Sequence, residues 1–192
     1  MQLNPDDDRD PEHIPLDECP FYDGQVRVYN SACSTFFAPS DLSGLYGMRR
    51  EYIRSCPMWR NEGPRLDCVF VATDPQAEGM RGMDVARVLC FFSFRYLGKL
   101  YPLAVVRWFN RVGNGPNGDT GMWVVRPSYR ASNNPNIGIT HVDAIYRAAH
   151  LIPVYAAHNI DAKDVKPHQS YDTFQSFYVN KFADHHAFEI AF

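Results

Sequence analysis

Residues 84 to 111 constrain the fold more than any other stretch of this chain. Ala86, Val88, Cys90, Phe92, Phe94 and Tyr96 alternate along one face and are all apolar. The opposite face carries Val85, Arg87, Leu89, Phe91, Ser93 and Arg95 and is only half apolar. A period of two with β-branched and aromatic enrichment marks a strand. Gly98 with Lys99 supplies a turn, and the return arm ends in Val-Arg-Trp-Phe-Asn-Arg, where aromatics alternate with cations. The stretch therefore reads as one long β-hairpin that buries one face in a small barrel and offers arginines and aromatics on the other. That argues for a binding module and leaves the ligand open.

Around the hairpin the pattern is mostly extended. Leu66 to Thr73 reads as a strand ended by Asp74-Pro75, and Met122 to Arg126 as another. Residues 137 to 142 and 145 to 155 read as strand or short helix. Gly47 to Ser55 is expected to be a short helix closed by Pro57, because the residue before a proline resists helix. Trp59 to Pro64 is expected to be loop. In the tail, Tyr171, Phe174, Tyr178 and Phe182, then Ala183 and Phe188, fall at helical spacing behind Ser170.

Charge is unevenly spread. Residues 1 to 24 hold eight acids and one base, net −7, whereas residues 25 to 130 hold fourteen bases and eight acids, net +6. A basic middle behind an acidic leader points to an anionic partner, or to a leader folded back on the middle. Arginine outnumbers lysine fifteen to four, and its planar fork suits carboxylates, phosphates and aromatic stacking. Five cysteines without a Cys-x-x-Cys pair, no N-terminal apolar run and no span of about 20 apolar residues give the expectation of an intracellular, reducing, membrane-free setting.

The candidate binding residues are Arg49, Arg50, Arg87, Arg95, Arg107, Trp108, Arg111 and Trp123. The arginines, with Arg54, Arg60, Arg65 and Arg81, suit phosphates or acidic peptides; the same residues also read as a solvated face with acid partners such as Glu51 and Asp84. Trp108, Phe109, Trp123 and Tyr129 read either as a pocket for a methylated ammonium or as core, Trp108 and Phe109 pointing to opposite faces of a strand. His186 and Glu189 share a helix face, but a metal site needs three or four converging ligands and no other histidine stands in spacing to them. No Gly-x-Ser-x-Gly, phosphate-binding glycine loop or His-Glu-x-x-His is present. No catalytic residue, metal or cofactor is expected.

Two resemblances add to this reading. Phe36-Phe37-Ala38-Pro39-Ser40-Asp41-Leu42-Ser43-Gly44, Gly47-Met48-Arg49-Arg50-Glu51, Gly79-Met80-Arg81-Gly82-Met83-Asp84-Val85-Ala86-Arg87 and the segment from Phe177 to Ile190 resemble the C-terminal region of Plavaka-type transposon-encoded proteins of mushroom-forming fungi. Ala86-Arg87-Val88, Val106 to Arg111 and Val142 to Val154 are similar to the bromo-adjacent homology (BAH) domain, a β-barrel reader of chromatin and partner proteins. The resemblances imply a nuclear, transposon-derived interaction module that binds a chromatin protein, an acidic or methylated peptide, or DNA or RNA. A fragment or assembly domain of a transposase, partnered by a transposase segment, is the alternative.

The expected fold is mainly β: an SH3-like or BAH-like barrel over residues 66 to 156. A leader (1 to 24), an arginine-bearing arm (25 to 65) and a tail (157 to 192) with a C-terminal amphipathic helix would complete it.

Overall fold

Alternation along the central stretch does produce the hairpin, and the rest of the molecule is arranged on it. The computed structural model describes residues 15, 17–19, 21–40, 44–155 and 165–192. Most of the acidic leader, Asp41 and the histidines at 13 and 158 lie outside the described residues. Five strands precede the hairpin: β1 (Arg27–Tyr29), β2 (Ser31–Phe37), β3 (Met48–Trp59), β4 (Gly63–Leu66) and β5 (Cys68–Ala72). The hairpin itself is β6 (Met83–Tyr96) and β7 (Lys99–Val112). β8 (Val124–Pro127), β9 (Ile137–His141), β10 (Ile145–Ala148) and β11 (Leu151–Pro153) follow. The chain ends in α1 (Ser170–Thr173), β12 (Phe177–Val179) and α2 (His185–Ile190).

The hairpin closes on Leu97-Gly98 rather than Gly98-Lys99, with Tyr96 paired to Lys99. Both turn residues have positive φ, 48° and 79°, as a two-residue turn matched to strand twist requires. Each arm carries two short strands on its outer edge. β6 pairs with β5 and then with β1; β7 pairs with β9 and then with β8.

The single apolar face expected from Ala86 to Tyr96 is corrected by a bulge. Val88 faces Val106 and Cys90 faces Val105, leaving Leu89 unpaired. One extra residue exchanges the two faces of a strand. Buried Ala86 and Val88 therefore give way to buried Phe91 and Ser93, and Cys90, Phe92, Phe94 and Tyr96 are only half-buried.

The sheet order is β10-β5-β6-β7-β8-β12-β11. Its two end strands are separated in the chain by only Ala149 and His150, so the sheet curls until its edges meet in one segment. The fold is thus mainly β and barrel-like, with a short C-terminal helix. The inside of the curl holds Phe70, Val85, Phe109, Trp123, Phe177 and Val179, among others. The outside of β5, β6 and β7 is also apolar: Val69, Val71, Ala86, Val88 and Val106 pack with Ile53 in a second core. That core is roofed by the separate sheet β2-β3-β4, which is why β5 is buried from Cys68 to Val71.

Three local expectations are overturned. Trp59 to Pro64 is not all loop: Trp59 ends β3 and Gly63 and Pro64 open β4. Gly47 to Ser55 is not helical; it lies mostly in the 12-residue β3. Its inward Ile53 (1% exposed) alternates with Tyr52 (51%), and Pro57 falls where the β3–β4 register shifts, a position that lacks a ladder bond to lose. The tail stripe is not one helix either. Tyr171 lies on α1, Tyr178 on β12, and only Phe188 on α2. Strand β12 sits between β8 and β11 inside the curled sheet.

Candidate functional site

The alternation along β3 builds two different faces. Inward, Ile53 enters the second core, and Glu51 accepts the Ala148 N–H at 3.0 Å and lies 3.6 Å from Arg147 Nε. Arg49 turns the same way; its charge helps to keep the Asp184 carboxyl ionised. Outward stand Arg50, Tyr52 and Arg54. The Arg50 guanidinium is 5.4 Å from the Tyr52 ring centre and that of Arg54 is 5.2 Å from it. Arg54 also lies 5.5 Å from the Trp59 ring, joined there by Arg60 at 5.7 Å and Arg65 at 4.9 Å. Four guanidiniums and two aromatics thus form a continuous ladder across the small sheet.

The ladder is only partly neutralised. Arg65 pairs with Asp67 at 2.9 Å, and Arg50 Nε donates to Cys33 Sγ at 2.8 Å. Among the described residues, the Arg54 and Arg60 guanidiniums make no ion pair with a carboxylate and lie over aromatic rings. Exposed cation–π contacts are each worth about 0.5–1 kcal/mol, enough to order the side chains while leaving their charge available. The β3–β4 turn holds Arg60 and Asn61 at φ 52° and 60°, a conformation in which a residue other than glycine is uncommon.

A cavity of about 550 Å³ opens beside the last rung, bordered by Trp59, Arg65, Arg87, Lys166, His168 and Tyr171. Gly63 is required at its edge. With φ 153°, a Cβ there would lie 2.7 Å from the His168 ring.

Of the residues singled out from sequence, Arg50, Arg54, Arg60 and Arg65 join the ladder directly. Arg87 and Arg107 face each other across the hairpin and grip opposite oxygens of Asp172, both at 3.0 Å. Their side chains are only 6% and 14% exposed, so they clamp α1 to the hairpin rather than forming a free surface. The Nε of each is buried without a partner. Arg95 is at the hairpin tip, donating to Gly98 O at 3.4 Å. Arg111 donates to Met80 O at 3.0 Å and lies 3.7 Å from Asp84. Trp123 is core, whereas Trp108 is half-buried against the second core. Trp108, Arg111 and Trp123 border one open hollow of about 720 Å³, together with Arg81 and Asp84. Phe109 is core, packed edge-on to Phe177, and Tyr129 accepts from Arg107 at 3.1 Å.

The ladder residues Tyr52 and Trp59 were not singled out from sequence. Their signal is present: Arg50-x-Tyr52-x-Arg54 against Arg49-x-Glu51-x-Ile53 is a period of two.

The remaining charged network is structural. Arg147, 3% exposed, holds Asp184 through two hydrogen bonds at 2.9 and 2.6 Å and meets His186 Nδ1 at 3.1 Å. The Arg147 hydrogen bonds hold the Asp184 carboxyl down at about 2. Burial, then the Arg147 charge, lowers the affinity of His186 for a proton. His186 stacks on Phe36 at 4.7 Å, so this cluster ties the small sheet, β10 and α2 together. Burial pushes the Cys68 thiol up to about 12, leaving it a small apolar side chain rather than a nucleophile. Among the described residues no three His, Cys, Asp or Glu side chains converge as metal ligands, and no helix is long and apolar enough to cross a membrane.

No protein-family model, curated protein or solved structure matches this chain.

Proposed function

We propose that this chain is a non-catalytic interaction module that binds single-stranded nucleic acid on the outer face of β2, β3 and β4. The observation that carries the reading is the Arg50–Tyr52–Arg54–Trp59 ladder with Arg60 and Arg65 at its end. Backbone phosphates call for cations, and unstacked bases call for π faces. A surface that interleaves the two serves a single strand better than a duplex, whose bases are already stacked. The resemblance to the C-terminal region of Plavaka-type transposon proteins supports a nuclear, DNA-handling setting, with a transposase segment as a further partner.

The test is fluorescence anisotropy with a labelled single-stranded oligonucleotide and its duplex over a range of salt. Each neutralised phosphate contributes about 0.7 to the slope of log affinity against log salt for single strands. Arg50→Gln, Arg54→Gln and Arg60→Gln should each lower that slope by about this amount and weaken every sequence alike. Ladder variants that bind as the wild type does would overturn the reading.

One observation favours a second reading, an acidic peptide of a chromatin protein. The Trp123 indole N–H is buried without a partner, and Trp123 borders the hollow that also contains Arg81 and Arg111. Two guanidiniums there suit a carboxylate better than a methylated ammonium. A peptide screen in which Arg111→Gln abolishes capture of acidic peptides would support it.

A further inference from the structure

We infer that the cavity beside Trp59 accepts one unstacked base of the bound strand. This rests on the reading of the ladder as a nucleic-acid surface and deepens it. Three observations converge. First, Trp59 belongs to both features: it is the last aromatic of the ladder and a wall of the cavity. A strand tracking the arginines is therefore delivered to the opening.

Second, the cavity is chemically mixed in the way a base edge is. Trp59 and Tyr171 supply aromatic surface, Asn61 and Lys166 supply donors, and Glu62 supplies an acceptor, whereas the Asp67 oxygens are engaged by Arg65 and the Arg54 N–H. A site for bare phosphate would be lined by donors alone, and a site for an aliphatic ligand would lack the carboxylates. A planar heterocycle with donors and acceptors on one edge uses all three kinds of group. The volume of about 550 Å³ leaves room for a base with its sugar.

Third, Arg87 lines this cavity, is 5% exposed, and its Nε has no hydrogen-bond partner. Its other nitrogens are used, Nη1 by Asp172 at 3.0 Å and Nη2 by the His168 carbonyl at 3.5 Å. A buried donor left open is unfavourable unless something occupies it. With that donor uncommitted, the guanidinium keeps its positive charge beside the cavity, which suits the electron-rich edge and face of a base.

Titration with adenosine and uridine monophosphates, followed by NMR, tests this, with ribose 5-phosphate as a base-free control. Both mononucleotides should perturb signals of residues 59 to 67 and 166 to 171, and the sugar phosphate should not. Trp59→Ala should weaken mononucleotide binding about ten-fold or more, given what one base–aromatic stack is worth. Lys166→Glu, at the rim, gives an independent variant should Trp59→Ala unfold. Arg54→Gln, which lies on the ladder outside the cavity lining, should weaken the oligonucleotide by a larger factor than the mononucleotide.

Oligonucleotide binding that depends on Arg54, with no mononucleotide binding, would overturn the cavity inference and leave the ladder standing. Equal binding of ribose 5-phosphate would overturn it too, since the base would then contribute nothing. Mononucleotide binding without oligonucleotide binding would overturn insertion from a strand and make the occupant a free nucleotide.

Discussion

A few residues occupy strained conformations or shifted protonation equilibria, and each makes a testable statement. Arg60 sits at φ 52°, where a side chain costs roughly 1–2 kcal/mol. Arg60→Gly should therefore raise the melting temperature by relieving the turn, and weaken oligonucleotide binding by removing a ladder cation; a variant destabilised by the change would show that the turn is not strained. The Arg147–Asp184–His186 cluster sets the acid response. His186 binds a proton less readily in the folded chain than its ordinary 6.5. The unfolded chain therefore takes up the extra proton first, and stability falls as pH drops through about 6.5. Asp184 is held at about 2, below its ordinary 3.8. Its contribution is complete above 3.8 and is lost as pH falls from there toward 2. Urea titrations from pH 8 to pH 3 should show an early decline that His186→Asn removes and a later one that Asp184→Asn removes. At this scale the sequence was least legible: Arg87 and Arg107 look like surface cations, and nothing local announces that Asp172 neutralises both from 85 and 65 residues away.

At the scale of elements, legibility followed the range of the forces involved. The hairpin was readable because alternation, β-branched residues and a glycine turn all lie within 14-residue arms. Its bulge was not, because Leu89 looks like any other apolar position and only the partner strand reveals the extra residue. β3 was misread because Pro57 appeared to stop a helix, whereas the shift in register between Cys56 and Trp59 accommodates it within a strand. The tail was misread because Tyr171, Phe174 and Tyr178 sit at helical spacing by coincidence of two separate elements, α1 and β12. β12 joins β8 to β11, and Phe177 in it is fully buried against Phe109, Tyr171 and Phe174. Phe177→Ala should cost about 3–5 kcal/mol, measured by chemical denaturation. Deleting residues 165 to 192 should abolish the cooperative transition, since both flanking strands would lose their partner; a truncated chain that still melts cooperatively would mean that the sheet closes without β12.

For the whole molecule, two cores sharing β5, β6 and β7 make a rigid body, on which the β2–β3–β4 sheet presents its outer face. The mainly β, barrel-like architecture was legible from the sequence; the side-chain partners that decide which arginines stand free were not. Sequence reasoning spread the candidate surface over the hairpin arginines and over Arg49, Arg50, Arg54, Arg60 and Arg65, and the four hairpin arginines are committed to Asp172, Asp84 or backbone carbonyls. Among the described residues, Arg50, Arg54 and Arg60, on β3 and its turn, make no ion pair with a carboxylate and lie over aromatic rings, in a segment whose strand character depended on tertiary packing of Ile53. Near the hairpin tip, Tyr22 packs on Phe94 at 4.9 Å and Phe94 on Tyr101 at 5.3 Å, a second aromatic patch with one cation, Lys99, over the Tyr101 ring against four on the ladder. This contrast provides the most direct test of the central claim. A single-stranded oligonucleotide carrying photoreactive 5-bromodeoxyuridine should be cross-linked to the intact chain and the adducts mapped by mass spectrometry. Adducts on Tyr52 and Trp59, suppressed by Arg54→Gln, are the predicted result. Adducts confined to the tip around Tyr22, Phe94 and Tyr101, or to the hollow at Trp108, would contradict it.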